Sequence, residues 1–129
     1  MGDIPLILRY SPNVIENRHK SVRIKVWIED EKGETFFGAG QLKILEAIDN
    51  TGSVSAAAKE MKMGYRSMWG KLKKIEKRFG KPVLIRQKGG IKRGSSTLTA
   101  EAREMVDKFK QLKQKINAEA SSALETIFD

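Results

Sequence analysis

The 129-residue sequence contains no cysteine, which removes disulfides, thiolate nucleophiles and every cysteine-ligated zinc or iron–sulfur site at once. It has one histidine, His19, in a polar stretch. A Ser-His-Asp triad or a multi-histidine metal site would hang on that single residue, whereas catalytic sites need several convergent groups. Neither an enzyme nor a bound cofactor or metal is therefore expected. Long apolar runs are also missing. The longest near the start, Ile4 to Leu8, is interrupted by Pro5 and followed by Arg9, too short for a signal-peptide core and far too short for a bilayer span. The expectation is a cytoplasmic protein with no membrane partner. Aromatic residues make up only 7%, against 40% hydrophobic and 32% charged, which fits a globular domain with a modest core and disfavours a collagen, a membrane protein or a wholly disordered chain.

Positive charge is what the sequence has in excess. Lysine and arginine number 25 against 16 acids, a net charge of +9, and such a balance points to nucleic acid, acidic lipid or an acidic protein partner. Its position decides between them. Between Lys59 and Arg93 there are thirteen bases and two acids, Glu60 and Glu76, a local net of +11, while the remainder nets −2. The charge is a local device and not a general means of staying soluble.

Residues 1–20 show no period, carry Pro5, Pro12, Asn13 and Asn17, and read as an N-terminal extension. From Val22 the pattern alternates: Val22, Ile24, Val26 and Ile28 against Arg23, Lys25, Trp27 and Glu29, the period of a half-buried strand. Asp30 to Glu34 supply turn chemistry and Thr35-Phe36-Phe37 a returning strand, so an N-terminal β-hairpin is expected. Leu42, Ile44, Leu45 and Ile48 then keep helical spacing up to Gly52, a helix of about 40–50. Ser53 is a good N-cap for a second helix over 54–61, whose inner positions Val54, Ala57, Ala58 and Met61 are mostly small. After the turn Lys62-Met63-Gly64, a third helix spans Tyr65 to Phe79 and is closed by Gly80 and Pro82. Val83-Leu84-Ile85, the basic loop from Arg86 to Ser96, and Thr97-Leu98 make a second hairpin with a charged tip. Thr99 caps a last helix that reaches Ile127, with Glu101 and Glu104 early in it, where they favour the macrodipole.

Two short helices joined by a three-residue glycine-containing turn, the second longer and studded with bases, are a helix-turn-helix signature, and the adjacent basic hairpin is a wing. The fold class expected is α+β, a winged helix-turn-helix with an N-terminal β-hairpin and a long C-terminal helix. On the third helix Tyr65, Met68, Leu72, Ile75 and Phe79 take the buried face. That leaves Arg66, Ser67, Gly70, Lys71, Lys73, Lys74, Lys77 and Arg78 outward, the division required of a helix that enters the major groove. Gly70 has two readings, a place where a backbone can come close or a plain packing contact. Trp27 and Trp69 are assigned to core or hairpin packing in preference to base stacking. Gly89-Gly90 lacks the Lys-Ser/Thr ending of a P-loop, so nucleotide hydrolysis is not expected.

Taken in order, Gly52-Ser53-Val54-Ser55-Ala56-Ala57-Ala58, Met63-Gly64-Tyr65-Arg66-Ser67-Met68-Trp69, Gly80-Lys81-Pro82-Val83-Leu84, Gly89-Gly90 and Leu98-Thr99 resemble the N-terminal winged-helix domain of ModE-type molybdate-responsive regulators. More distantly, they are similar to the LysR-type DNA-binding domain. The resemblance covers about residues 22–115 and implies a dimer on palindromic operators, with a tyrosine-centred helix in the major groove; it nominates Tyr65, Arg66 and Ser67. Gly64 stands where the family often has serine, so capping of the third helix falls to backbone or solvent. The resemblance does not imply molybdate sensing, because the family places molybdate in C-terminal domains and only about thirty residues follow Thr99 here. Either this is a stand-alone regulator or its sensor is another polypeptide.

The sequence reading is thus a dimeric, sequence-specific regulator of transcription that binds double-stranded DNA at an inverted repeat. Its rivals are a non-specific architectural DNA binder and a winged-helix module that docks on acidic protein. DNA contact is assigned to Ser53, Tyr65, Arg66, Ser67, Lys71, Lys74 and, on the wing, Lys88, Lys92 and Arg93. The expected division is an extension over 1–20, the DNA-binding domain over 21–98 and a dimerisation helix over 99–129. Homodimer contact is assigned to Met105, Phe109, Leu112 and Ile116, which advance by four, three and four as in a coiled-coil seam. Packing of this helix back on its own domain would account for the first half of the stripe easily and for Leu124 and Ile127 less well.

Overall fold

Strand alternation needs a partner strand before it becomes a sheet, and here the partner is short. In the computed structural model, which describes residues 20–87 and 94–128, β1 (Ile28–Glu29) pairs antiparallel with β2 (Thr35–Phe37). The strand expected from Val22 is correspondingly cut back. Residues 20–27 lie outside any strand and Val22 and Ile24 are exposed, because β2 offers a ladder to only the last part of the alternating run. Register shifts by one residue between Ile28, opposite Phe37, and Glu29, opposite Thr35. This bulge leaves Phe36 as the extra residue and lets both phenylalanines meet the core. The turn is held by Asp30, whose Oδ1 accepts from the backbone N–H groups of Lys32 (2.8 Å) and Glu34 (3.0 Å), while Gly33 takes the left-handed conformation at φ 81°.

α1 (Ala39–Thr51) starts where the Gln41 Oε1 accepts from the Gly38 N–H at 3.0 Å, and it stops at Gly52, φ 79°, whose N–H returns to the Ile48 carbonyl. It buries Leu42, Ile44, Leu45, Ala47 and Ile48. α2 (Val54–Glu60) is capped by Ser53, whose Oγ accepts from the Ala56 N–H at 2.9 Å. Its buried face is Val54, Ala57 and Ala58, small enough for neighbouring helices to come close. α3 (Tyr65–Phe79) buries Met68, Leu72 and Ile75 and ends at Gly80, φ 77°. In the α2–α3 turn the left-handed residue is Lys62, φ 55°, while Gly64 keeps an ordinary φ of −69°. Gly64 also provides no side-chain cap for α3, as its identity predicts.

β3 (Leu84–Arg86) and β4 (Ser96–Leu98) form the second antiparallel hairpin, with Leu84 opposite Leu98 and Arg86 opposite Ser96. Val83, expected inside the strand, precedes it: its N–H is given to Glu76 Oε2 (2.9 Å) at the end of α3, and its carbonyl accepts from Thr99 (3.0 Å). At the other strand, the Ser96 N–H donates to the Gly52 carbonyl at 2.7 Å. The wing stem is therefore tied to both the α1–α2 junction and the C-terminal end of α3.

α4 (Ala100–Phe128) is a continuous helix of 29 residues. Thr99 Oγ1 accepts from the Ala102 N–H (3.2 Å) and donates to the Pro82 carbonyl (3.0 Å), which fixes where the helix begins. Ala102, Val106 and Phe109 are buried, with Met105 packed against the same core. Phe109 meets Phe37 edge to face at 5.1 Å between ring centroids. This corrects the assignment of Met105 and Phe109 to an intersubunit seam: positions 102, 105, 106 and 109 make one helical face, and that face completes the domain's own core. The compact unit is Val26–Lys110 and so extends into α4, beyond the boundary expected at 98. Residues 20–25 and 111–128 fall in a second unit. There Ile116 and Leu124 are half-buried, Leu112 is 38% exposed, and Ile127 and Phe128 are 72% and 65% exposed.

Candidate nucleic-acid interface

A helix can read a base only if its outer face is free of its own protein, and α3 meets that condition. At about 100° per residue, the buried stripe of Met68, Leu72 and Ile75 turns Arg66, Gly70, Lys73, Lys74 and Lys77 to the far side, all exposed. Ser67 and Lys71 lie along one flank, also exposed. Among the described residues Arg66, Lys71, Lys73, Lys74 and Lys77 form no ion pair; of the α3 cations only Arg78 reaches an acid, Glu34, at 3.3 Å. The one acid of α3, Glu76, accepts the Val83 N–H and neutralises none of them. The face is thus a row of solvated cations with a gap at Gly70.

Tyr65 departs from its expected place in the buried stripe. It is 52% exposed, because the first turn of α3 projects past the core that Met68 begins to fill. Its ring stands edge-on to Trp69, centroids 6.3 Å apart, and the Arg86 guanidinium lies 4.5 Å above the Trp69 ring. Trp69 is half-buried against the core, as expected, and in addition carries a cation from the wing stem on its outer surface. Arg86 was missed as a site residue by sequence reasoning. The signal available was its position at the strand end nearest the basic loop, but its contact with Trp69 joins residues on two separate elements, which no local pattern contains. Trp27 is exposed and its Nε1 donates to Glu29 at 2.9 Å, a contact within its own hairpin region.

The structure brings Tyr65, Arg66, Ser67, Lys71 and Lys74 together on α3 and places Ser53 at the start of α2. The Ser53 Oγ is engaged as an acceptor in the helix cap, which leaves its O–H available as a donor. Lys88, Lys92 and Arg93 lie outside the described residues. Beside them the stem continues past the ladder, with Gln87 and Ser95 joined at 3.0 Å and Gly94 and Gln87 at 2.8 Å. Lys71, Lys74 and Arg78 also rim an open groove of about 240 Å³ against the first turn of α1. No group of three or more metal-ligating side chains occurs among the described residues, and none of their helices is long and apolar enough to cross a membrane.

Comparison with known proteins agrees with this geometry. Residues 39–103 match the family described as bacterial regulatory helix-turn-helix protein, lysR family. The chain is 30% identical over 79 residues to the transcriptional regulator ModE of Haemophilus influenzae, covering 61% of this chain and 31% of that protein. It is 29% identical over 87 residues to the molybdenum transport protein ModE of Azotobacter vinelandii, covering 67% and 31%. A third relative is the molybdenum-pterin-binding protein MopB of Rhodobacter capsulatus, 32% identical over 69 residues, covering 54% and 26%. The chain thus spans about a third or less of the length of these relatives. The matched family and the Haemophilus relative are regulators by description.

Proposed function

We propose, for a chain that belongs to the lysR family of bacterial regulatory helix-turn-helix proteins, that it binds double-stranded DNA sequence-specifically, as a homodimer on an inverted repeat, and regulates transcription. The observation that carries this reading is the outer face of α3, whose cations have no acidic partner among the described residues. In the proposed complex α3 lies in the major groove. Arg66 contacts guanine and Ser67 a base or phosphate, while Lys71 and Lys74 neutralise phosphates. Tyr65, exposed at the start of α3, and Arg86, held on Trp69, flank that contact.

Dimerisation is assigned to the part of α4 beyond the compact unit, where Leu112 is exposed and Ile116 half-buried. Two-fold symmetry would set the recognition helices about 34 Å apart, one turn of DNA, and so require a palindromic site. The test is selection from a random duplex pool, followed by competition. A regulator keeps its selected palindrome against excess random duplex, whereas an architectural binder loses it. A module for acidic protein shows no duplex affinity at physiological salt. Leu112→Asp with Ile116→Asp should give a folded monomer that binds half-sites; a double mutant that stays dimeric and holds the full palindrome puts the dimer contact elsewhere.

A further inference from the structure

Gly70 sits two residues from Met68 and two from Leu72, the most deeply buried positions of α3, and therefore about 200° around the helix from each. It is the outermost point of the helix. In a helix interior glycine is the least favourable residue after proline, and two structural reasons for keeping one there are absent. Its backbone is not in the left-handed region, and a Cβ built at Gly70 would meet nothing within 4 Å. The packing contact that the sequence left open is therefore not made among the described residues. One turn away on either side stand Arg66, Ser67, Lys73 and Lys74, all exposed, so the bare spot is ringed by polar side chains. Three cations around it disfavour a second copy of the same face as the occupant and favour a polyanion.

We infer that Gly70 is the point of closest approach between α3 and the base-pair edges, and that its missing side chain sets the depth at which Arg66 and Ser67 reach them. The inference rests on the DNA-reading proposal and adds a specificity-determining residue to it. The physical margin is small. A major groove is about 12 Å wide and a helix with its side chains about 10–12 Å across. A Cβ on the leading edge would lift the helix by about 1.5 Å, one bond length, enough to break hydrogen bonds that weaken steeply with distance and angle. Phosphate contacts by long lysines on the flanks would follow such a shift with little loss.

The experiment compares wild type, Gly70→Ala and Gly70→Leu by thermal melting and by binding to two fluorescent duplexes: the sequence recovered by selection with wild-type protein, and a random sequence of equal length. Gly70→Ala should melt about 4 °C higher, bind the selected duplex roughly tenfold more weakly, and bind the random duplex within twofold of wild type. Gly70→Leu, also a good helix former, should melt above wild type and lose selected-duplex affinity further. Unchanged selected-duplex affinity in both variants overturns the inference and leaves DNA reading intact. Loss in Gly70→Ala with no further loss in Gly70→Leu overturns it too, since helix stiffness and not depth would then be the cause. A wild type that prefers no duplex defeats the DNA-reading proposal itself, before any variant is compared.

Discussion

The cations of α3 and Arg103, Lys108 and Lys110 of α4 are alike in kind and all exposed, but their surroundings differ. On α4, Arg103 forks onto Asp49 with bonds of 2.9 and 3.0 Å, Lys110 meets Glu46 at 2.7 Å, and Lys108 pairs with Glu104 one turn back at 3.1 Å. Two of these pairs cross to α1 and fasten the helix that completes the core. On α3 Arg78 reaches Glu34, but Lys73 and Lys77 stand four residues apart with like charge, an arrangement that destabilises a helix by about 0.2–0.5 kcal/mol per pair. Charge neutralised within the chain serves folding. Charge left open at a cost to folding is what a polyanionic partner would compensate.

The largest expected effect lies at α4. Phe109→Ala empties a site packed against Phe37 and should cost about 3–5 kcal/mol of stability, seen as a large drop in melting temperature. A variant that melts like wild type but dissociates into monomers would return Phe109 to an intersubunit role. Next, Lys62→Gly relieves the left-handed strain ahead of α3 and should stabilise by about 0.5–1 kcal/mol; denaturant unfolding reads it directly, and a loss would mean the lysine stem packs in a way its exposure hides. The smallest stability effect is at α3. Lys73→Glu exchanges a repulsion with Lys77 for an attraction, but also exchanges the i,i+3 attraction to Glu76 for a repulsion of similar size, so stability should stay within about 0.5 kcal/mol of wild type, while duplex binding weakens. A variant that is equally tight on DNA breaks the contrast between the two helices.

The two paired cations also set a direction for pH. The hydrogen bond and charge of Asp49 hold the Arg103 guanidinium above its ordinary pKa, and those of Glu46 do the same for Lys110. A cation whose pKa is raised on folding contributes fully below the unfolded value and stops contributing only as pH rises through the folded one. Alkaline pH up to the ordinary lysine range should therefore leave the α1–α4 clamp in place.

Local pattern sufficed for the helices because their ends carry their own chemistry: Gly52, Ser53, Gly80 and Thr99 each stop or cap a helix where the sequence predicts. It sufficed for the outer face of α3 because burial there follows a 3.6-residue period. What it could not contain depends on contacts between distant residues. The first strand is short because β2 is short, Phe109 is internal because Phe37 waits for it, and Arg86 joins the site because β3 lies beside Trp69. Tyr65 was misplaced for a related reason, since the periodic stripe continues past the point where the core ends.

The contrast between the helices is tested most directly by the slope of log affinity against log salt on the selected duplex. Lys71→Ala with Lys74→Ala should flatten it by about 1.8, two phosphate contacts at about 0.9 each, with little change in stability. Arg103→Ala with Lys110→Ala should leave the slope as in wild type and lower the melting temperature. Equal flattening by both pairs, or none from the α3 pair, would contradict the assignment of α3 to the nucleic-acid face.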